Sequence, residues 1–417
     1  MSREARDAMT HSADDRSEVR DATQQTRFTE LEAYRGIAAL LVVVFHAYQY
    51  SREGTGTPRE VYTGTPLHLL FYNLEAPVSW FFVLSGFLLF LPFARAAIEQ
   101  RGFLSSRGFL VRRAIRILPP YYLAILVVWA WHFNGGPEQW RDLIAHLTFT
   151  QVFDKVHIFW TIGPAWSLAV EVQFYLLLAI LGPVIYATCA RLATERARSV
   201  ALLAGAVALI ASSLVYKWWV GIVAQIPRED FPIYFGPLAK LDTFALGMVL
   251  AILVAGFRGR FQRCAAIMLR LAGVGLIAGV FMLRGSFAAV DLYFHTLAGL
   301  AFLLVLSSTT LGPRDSAWAR RLAHPWLQAL GVISYSVYLW HEPLLTELGQ
   351  RELLIHTTPA AFPANALALV LLSVAVATIS YRMIERPLGE LRWLFNRKGR
   401  LDERYPALVG TAEPEAS

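Results

Sequence analysis

The chain has 417 residues, of which 56% are hydrophobic and only 17% charged, with a mean hydropathy of +0.44. That balance excludes a soluble globular protein of this length and marks a multi-spanning membrane protein. A net charge of +7 and a pI near 9.5 do not make it a nucleic-acid binder, because its arginines lie between apolar runs and not in one basic domain.

Residues 1–27 are polar and charged, with neither an apolar core nor a cleavage site, so they read as a disordered cytoplasmic tail and not as a signal peptide. Residues 391–417 read as a second cytoplasmic tail, which leaves 28–390 as the transmembrane domain. Apolar runs long enough to cross a bilayer fall at about 36–51, 77–94, 117–133, 164–187, 199–218, 234–256, 266–284, 289–310, 327–347 and 364–384. The fold class is therefore all-α, a polytopic membrane helix bundle of about ten transmembrane helices. Loops after even-numbered runs are rich in arginine, as in Arg95 to Arg116 or Arg258 to Arg263, whereas odd-numbered loops carry few basic residues. The positive-inside rule then places both termini in the cytoplasm of a multi-pass cell-membrane protein. Cys189 and Cys264 sit at the edges of apolar runs and supply neither a disulfide framework nor metal-ligand spacing.

The first run reads Arg35-Gly-Ile-Ala-Ala-Leu-Leu-Val-Val-Val-Phe-His46. On an α-helix, Arg35 and His46 return to within about 20° of one face, about 16 Å apart along the axis. A histidine inside lipid is costly, so function is its default reading; the plain alternative is a hydrogen bond to a neighbouring helix. A second basic cluster, Arg112-Arg113-Ala-Ile-Arg116, opens the third run at the cytoplasmic side. If helical, Arg113 and Arg116 present two guanidinium groups on one side, suited to phosphate, although positive-inside anchoring explains them equally well. With Arg35 at the same face and His46 deeper on its stripe, the arrangement fits a polyphosphate head on a long narrow arm. Acyl-CoA is such a ligand, its thioester delivered near His46.

A neutral imidazole beside a thioester can take the proton of an acceptor hydroxyl, with a carboxylate to fix its tautomer. By depth, Glu171 is the first choice for that carboxylate and Asp242 the second, each with an alternative as a structural intramembrane pair. Direct transfer and an acyl-histidine intermediate both remain open. Ser85 and His341 fall at a similar level, so the polar groups are expected to share one cavity in the outer half of the bundle. Trp166 either lines the acceptor entrance or belongs to the interfacial aromatic belt, and His341 is either a second substrate-binding residue or a packed histidine.

Taken together, Arg35 through His46, Trp80-Phe-Phe-Val-Leu-Ser-Gly-Phe87, Arg113-x-x-Arg116, Trp166-Ser-Leu-x-x-Glu171, Asp242-x-Phe244-x-x-Gly247, Ser334-Tyr-Ser-x-Tyr-Leu-Trp-His341 and Glu385-Arg-Pro387 resemble the transmembrane acyltransferase-3 family. The resemblance implies transfer of an acyl group, often acetyl, from cytoplasmic acyl-CoA to a hydroxyl of a carbohydrate, lipid or natural product such as a macrolide. The family's arginine and histidine map onto Arg35 and His46, and its paired arginines onto Arg113 and Arg116. Some members carry a further hydrolase-like domain; because this sequence stops shortly after the tenth run, acceptor recognition is expected to rest with the bundle or with a separate partner, and outer loops 52–76 and 134–163 are the sizeable candidates. The competing readings are a proton-coupled transporter or flippase, with His46, Glu171 and Asp242 as a relay, and a catalytically silent scaffold.

Overall fold

A computed structural model of the chain describes residues 30–53, 62, 64–101, 105–133, 135–257, 259–355 and 361–390. The tails expected at 1–27 and 391–417 lie outside the described residues. Among the described residues, ten long helices fall on the apolar runs: α1 (Glu30–Glu53), α2 (Ala76–Glu99), α3 (Ser106–Trp131), α4 (Ala165–Ala190), α5 (Glu195–Trp218), α6 (Pro237–Gly256), α7 (Arg263–Leu283), α8 (Phe294–Thr310), α9 (Pro325–Gln350) and α10 (Ala361–Ser380). No strand occurs among the described residues.

Among the described residues, eight stretches are long and apolar enough to cross a bilayer; α8, with 17 residues, and α9 are not among them. Both nevertheless run from one end of the bundle to the other. In α8, His295 bonds Ser79 near the start of α2 at 2.9 Å, while Thr309 bonds Tyr34 near the start of α1 at 2.7 Å. In α9, Gly331 packs on the carbonyl of Glu32, and Glu347 meets His132, just past α3, at 3.2 Å. What lowers the hydropathy of α9 is a polar stripe, and Ser334, Ser336 and His341 on it are fully buried. Such a stripe belongs in a bundle interior and not against lipid. The arginine-rich end, which holds the start of α1, is called inner below, following the charge rule.

Capping and breaks move several helix ends from where apolarity alone sets them. α3 begins at Ser106 because Ser105 accepts the Gly108 amide at 3.0 Å, and Pro119 and Pro120 lie inside the helix without ending it. Arg112, Arg113 and Arg116 therefore stand on helix α3 and not in a loop. The run expected at 289–310 breaks at Tyr293, leaving a short helix Ala288–Leu292 before α8. Past α10 the chain loosens into a π-helical turn, Tyr381–Glu385, where Glu385 accepts the Ser336 hydroxyl at 2.5 Å. At the outer end, residues 135–164 form a folded cover, with a helix at Pro137–Leu147 and Val152, His157, Ile158 and Ile162 fully buried.

The bundle is tightest where α2 crosses α6. A Cβ on Gly247 would lie 2.1 Å from the Val83 carbonyl oxygen, and one on Gly86 2.0 Å from that of Phe244, so backbone meets backbone there. Phe244 fills the adjoining space, stacked on Phe174 with centroids 4.1 Å apart. Gly247→Ala should therefore cost about 1–3 kcal/mol through overpacking, read as a lower thermal midpoint in detergent. Gly275→Ala on α7, where nothing lies within 4 Å, should leave that midpoint unchanged.

Candidate active site

One cavity gathers side chains from five helices. Arg35 (α1), Ser85 (α2), Arg113 and Arg116 (α3), Ser167 and Glu171 (α4) and Tyr335 and Tyr338 (α9) all line it. Its water-accessible space of about 90 Å³ admits several waters or a thin chain, but no bulky group. At the inner end Arg35 pairs with Glu32 at 3.0 Å, and Arg113 lies over the rings of Phe109 and Tyr175 at 5.9 and 6.0 Å. Arg116 is half-buried, and its guanidinium has no hydrogen-bond partner among the described residues. Three cationic groups around a narrow space, one of them with all its donors open, have the charge and donor geometry that phosphate requires.

Further along, Ser85 donates to Glu171 Oε1 at 2.5 Å. The hydroxyls of Ser167 and Tyr338 lie 2.7 Å apart, both against the carbonyl of Pro164 at the start of α4. Phe81, also on the cavity wall, meets Tyr338 edge to face at 5.5 Å. One ring beyond stands His341, 5.7 Å from Tyr338 between centroids, and beyond it His46 at 4.9 Å. His46 itself is not among the residues lining the cavity.

The partners of the two histidines assign their tautomers. His341 Nδ1 lies 2.7 Å from the carbonyl oxygen of Tyr338, which can only accept, so Nδ1 carries the proton and Nε2 keeps its lone pair. That lone pair is 3.1 Å from His46 Nδ1, which also lies 3.0 Å from the carbonyl oxygen of Val42. His46 is therefore protonated on Nδ1, and its Nε2 is left as an unprotonated base. His341 is buried, whereas His46 is partly exposed.

The expected single layer of polar groups resolves into three separate clusters. Glu171 bonds Ser85 and does not reach His46, whose side-chain partner is His341. Asp242 also stays apart: it faces α5 and α8, accepting from Lys217 Nζ at 2.6 Å, from the Thr296 hydroxyl, and from the Thr243 amide at 2.9 Å. Rise per residue gives depth but not facing, and the face of α6 that carries Asp242 turns away from the cavity. Trp166 is buried in an aromatic group with Phe82 and Phe235, at 6.0 and 4.5 Å. Residues that sequence reasoning did not single out are Ser167, Tyr338 and Lys217. A lysine at the end of an apolar run was the available signal for Lys217, and it reads equally as a loop charge. Because the Lys217–Asp242 pair is buried, Asp242→Asn should destabilise the protein by about 3–5 kcal/mol, measured by thermal unfolding in detergent. Replacing both residues with Met and Leu should recover most of that loss.

Comparisons with known proteins agree with this architecture. A family model described as an acyltransferase domain matches residues 28–382. The chain is 27% identical over 381 residues to a protein of Komagataeibacter xylinus named as membrane-bound transacylase BcsY, covering 88% of this chain and 84% of that one. It is 27% identical over 351 residues to the peptidoglycan O-acetyltransferase OatA of Listeria monocytogenes, covering 79% of this chain and 53% of OatA. A Staphylococcus aureus protein named as an O-acetyltransferase is 24% identical over 335 residues, covering 74% of this chain and 52% of its own. The chain thus spans about half the length of these two O-acetyltransferases. No solved structure matches it. With a match that covers the whole helical bundle except its last turns, the chain belongs to the acyltransferase-3 family and is a multi-pass membrane acyltransferase.

Proposed function

We propose that the protein is a cell-membrane O-acyltransferase that moves a short acyl group from cytoplasmic acyl-CoA to a hydroxyl of a carbohydrate, glycolipid or natural product. The observation that supports this most is His46, an imidazole with Nδ1 engaged and Nε2 free, one histidine beyond the wall of a cavity that carries three guanidinium groups. The relatives' names point to the same chemistry, since two are named as O-acetyltransferases.

In this reading the phosphates of CoA rest on Arg35, Arg113 and Arg116, and the pantetheine arm follows the cavity outward. The rise from Arg35 to His46 is about 16 Å, a span for the arm and not for the nucleotide. Passage beyond Tyr338 requires the Phe81–Tyr338 ring pair to part. The acceptor hydroxyl then gives its proton to His46 Nε2 while its oxygen bonds the thioester carbonyl carbon. When the tetrahedral adduct collapses, the C–S bond breaks, the ester is released, and the CoA thiolate recovers the proton from the imidazolium. His341 takes the place that a carboxylate holds in a serine hydrolase triad, accepting from Nδ1–H and keeping Nε2 turned to the reaction. A neutral partner stabilises the imidazolium less than a carboxylate does, but it avoids placing an anion in the outer half of the membrane.

Turnover of radiolabelled acetyl-CoA by the protein in nanodiscs tests the assignment. His46→Ala should lower CoA release by about 10³-fold or more, and His341→Ala by about 10²-fold. His341→Gln, which still offers an acceptor, should recover part of that loss. Arg116→Ala should raise KM for acetyl-CoA about tenfold with kcat little changed. A protein that leaves acetyl-CoA intact, or a His46→Ala variant as fast as the parent, contradicts the assignment.

A further inference from the structure

The outer end of the bundle holds a second cationic group that the transfer chemistry does not use. Lys240, one turn into α6, is 3% exposed. Its ammonium lies over the rings of Trp166 and Phe235 at 5.5 and 5.1 Å. Among the described residues it has neither a hydrogen-bond acceptor nor a carboxylate within ion-pair distance. The neighbouring carboxylates are taken: Asp242 by Lys217, and Glu75 by Arg284. Lys240 is therefore left without an anion of its own among the charged groups around it, Lys217 and Arg228 on one side and Glu75 and Asp242 on the other. Aromatic faces attract an ammonium but do not neutralise it, so a buried lysine held only by rings lacks an anionic partner.

Position says which anion. Trp166 precedes Ser167, which lines the cavity, and touches Phe82, which lines it as well. Lys240 thus lies across one aromatic layer from the cavity, at the end opposite the arginines. Phe235 joins it to the outer cover through Phe159, at 5.5 Å. Flat aromatic faces beside a cation form a surface for a sugar ring that bears an acidic group.

Resting on the acyl-transfer reading, we propose that Lys240, with Trp166 and Phe235, forms an acceptor subsite for the anionic group, carboxylate or phosphate, of an acidic carbohydrate. The subsite orders the acceptor so that a hydroxyl, and not its acidic group, approaches the acyl centre. Acidic acceptors are accordingly favoured over neutral ones of the same shape.

Equilibrium binding of glucuronate and of glucose to the full chain in zwitterionic nanodiscs tests this without acyl donor or turnover, so that its failure is separate from failure of the acetyl-CoA assay. The parent should bind glucuronate at least tenfold more tightly than glucose. Lys240→Gln should reduce that preference to less than twofold, and Lys240→Arg should keep most of it. Equal binding of the two sugars, including no measurable binding of either, overturns the proposal. So does an undiminished preference in Lys240→Gln, which would make the lysine a structural pin for the aromatic group. A preference that disappears when phosphatidylglycerol is added to the nanodisc would assign the site to a lipid headgroup, and overturns it too.

Discussion

Two backbone carbonyls, those of Val42 and Tyr338, decide which nitrogen of His46 keeps a lone pair. Each belongs to the helix that carries the histidine it contacts, so the tautomers are set by local helical geometry. Their pairing is set by packing. α9 lies close against α1 because Gly331 presents bare backbone to Glu32, where a Cβ would come within 2.1 Å of the carbonyl oxygen. That contact near the inner end fixes the register of the two helices, and three helical turns further out it brings His341 Nε2 to His46 Nδ1. A larger residue at Gly331 would act on the imidazole from a distance, through the spacing of the two helices.

Low dielectric explains the rest of the polar architecture. Inside a bilayer each charge needs a partner or water, and the structure meets that need in different ways in different places. Asp242 and Lys217 neutralise each other and are closed off by Thr296, which gives a rigid tie between α5, α6 and α8. In the cavity, Arg35 pairs with Glu32, whereas the guanidinium of Arg116 keeps open donors. Saturated pairs such as Lys217–Asp242 hold the bundle together, while the open donors of Arg116 stand on the cavity wall.

Much of this was legible in the amino-acid order, and the part that was not has an identifiable cause. The helix positions follow from apolar runs. The resemblance drawn from Arg35–His46, Arg113–Arg116 and the later motifs agrees with the family match over residues 28–382. Depth also transfers: His46 and His341 do lie side by side. Facing does not transfer, because α6 is apolar and buried on several sides, so its sequence pattern does not fix the rotation that turns Asp242 toward Lys217 and not toward His46. Helix ends shifted wherever a cap or break overrode hydropathy, as at Ser105 and Tyr293. The folded cover at 135–164 was hidden because its apolar positions, such as Leu143, Val152 and Ile158, are interspersed with buried polar ones such as His157 and Gln151 and form no run long enough to cross a bilayer.

A structure with a non-hydrolysable thioether analogue of acetyl-CoA bound would test the catalytic arrangement most directly. The expected result is the CoA phosphates on Arg35, Arg113 and Arg116, the Phe81–Tyr338 pair opened, and the acyl carbon placed so that a hydroxyl can sit within about 3–3.5 Å of both it and His46 Nε2. An acyl group held at Ser85 and Glu171, with Tyr338 still closed in front of the histidine pair, would contradict it.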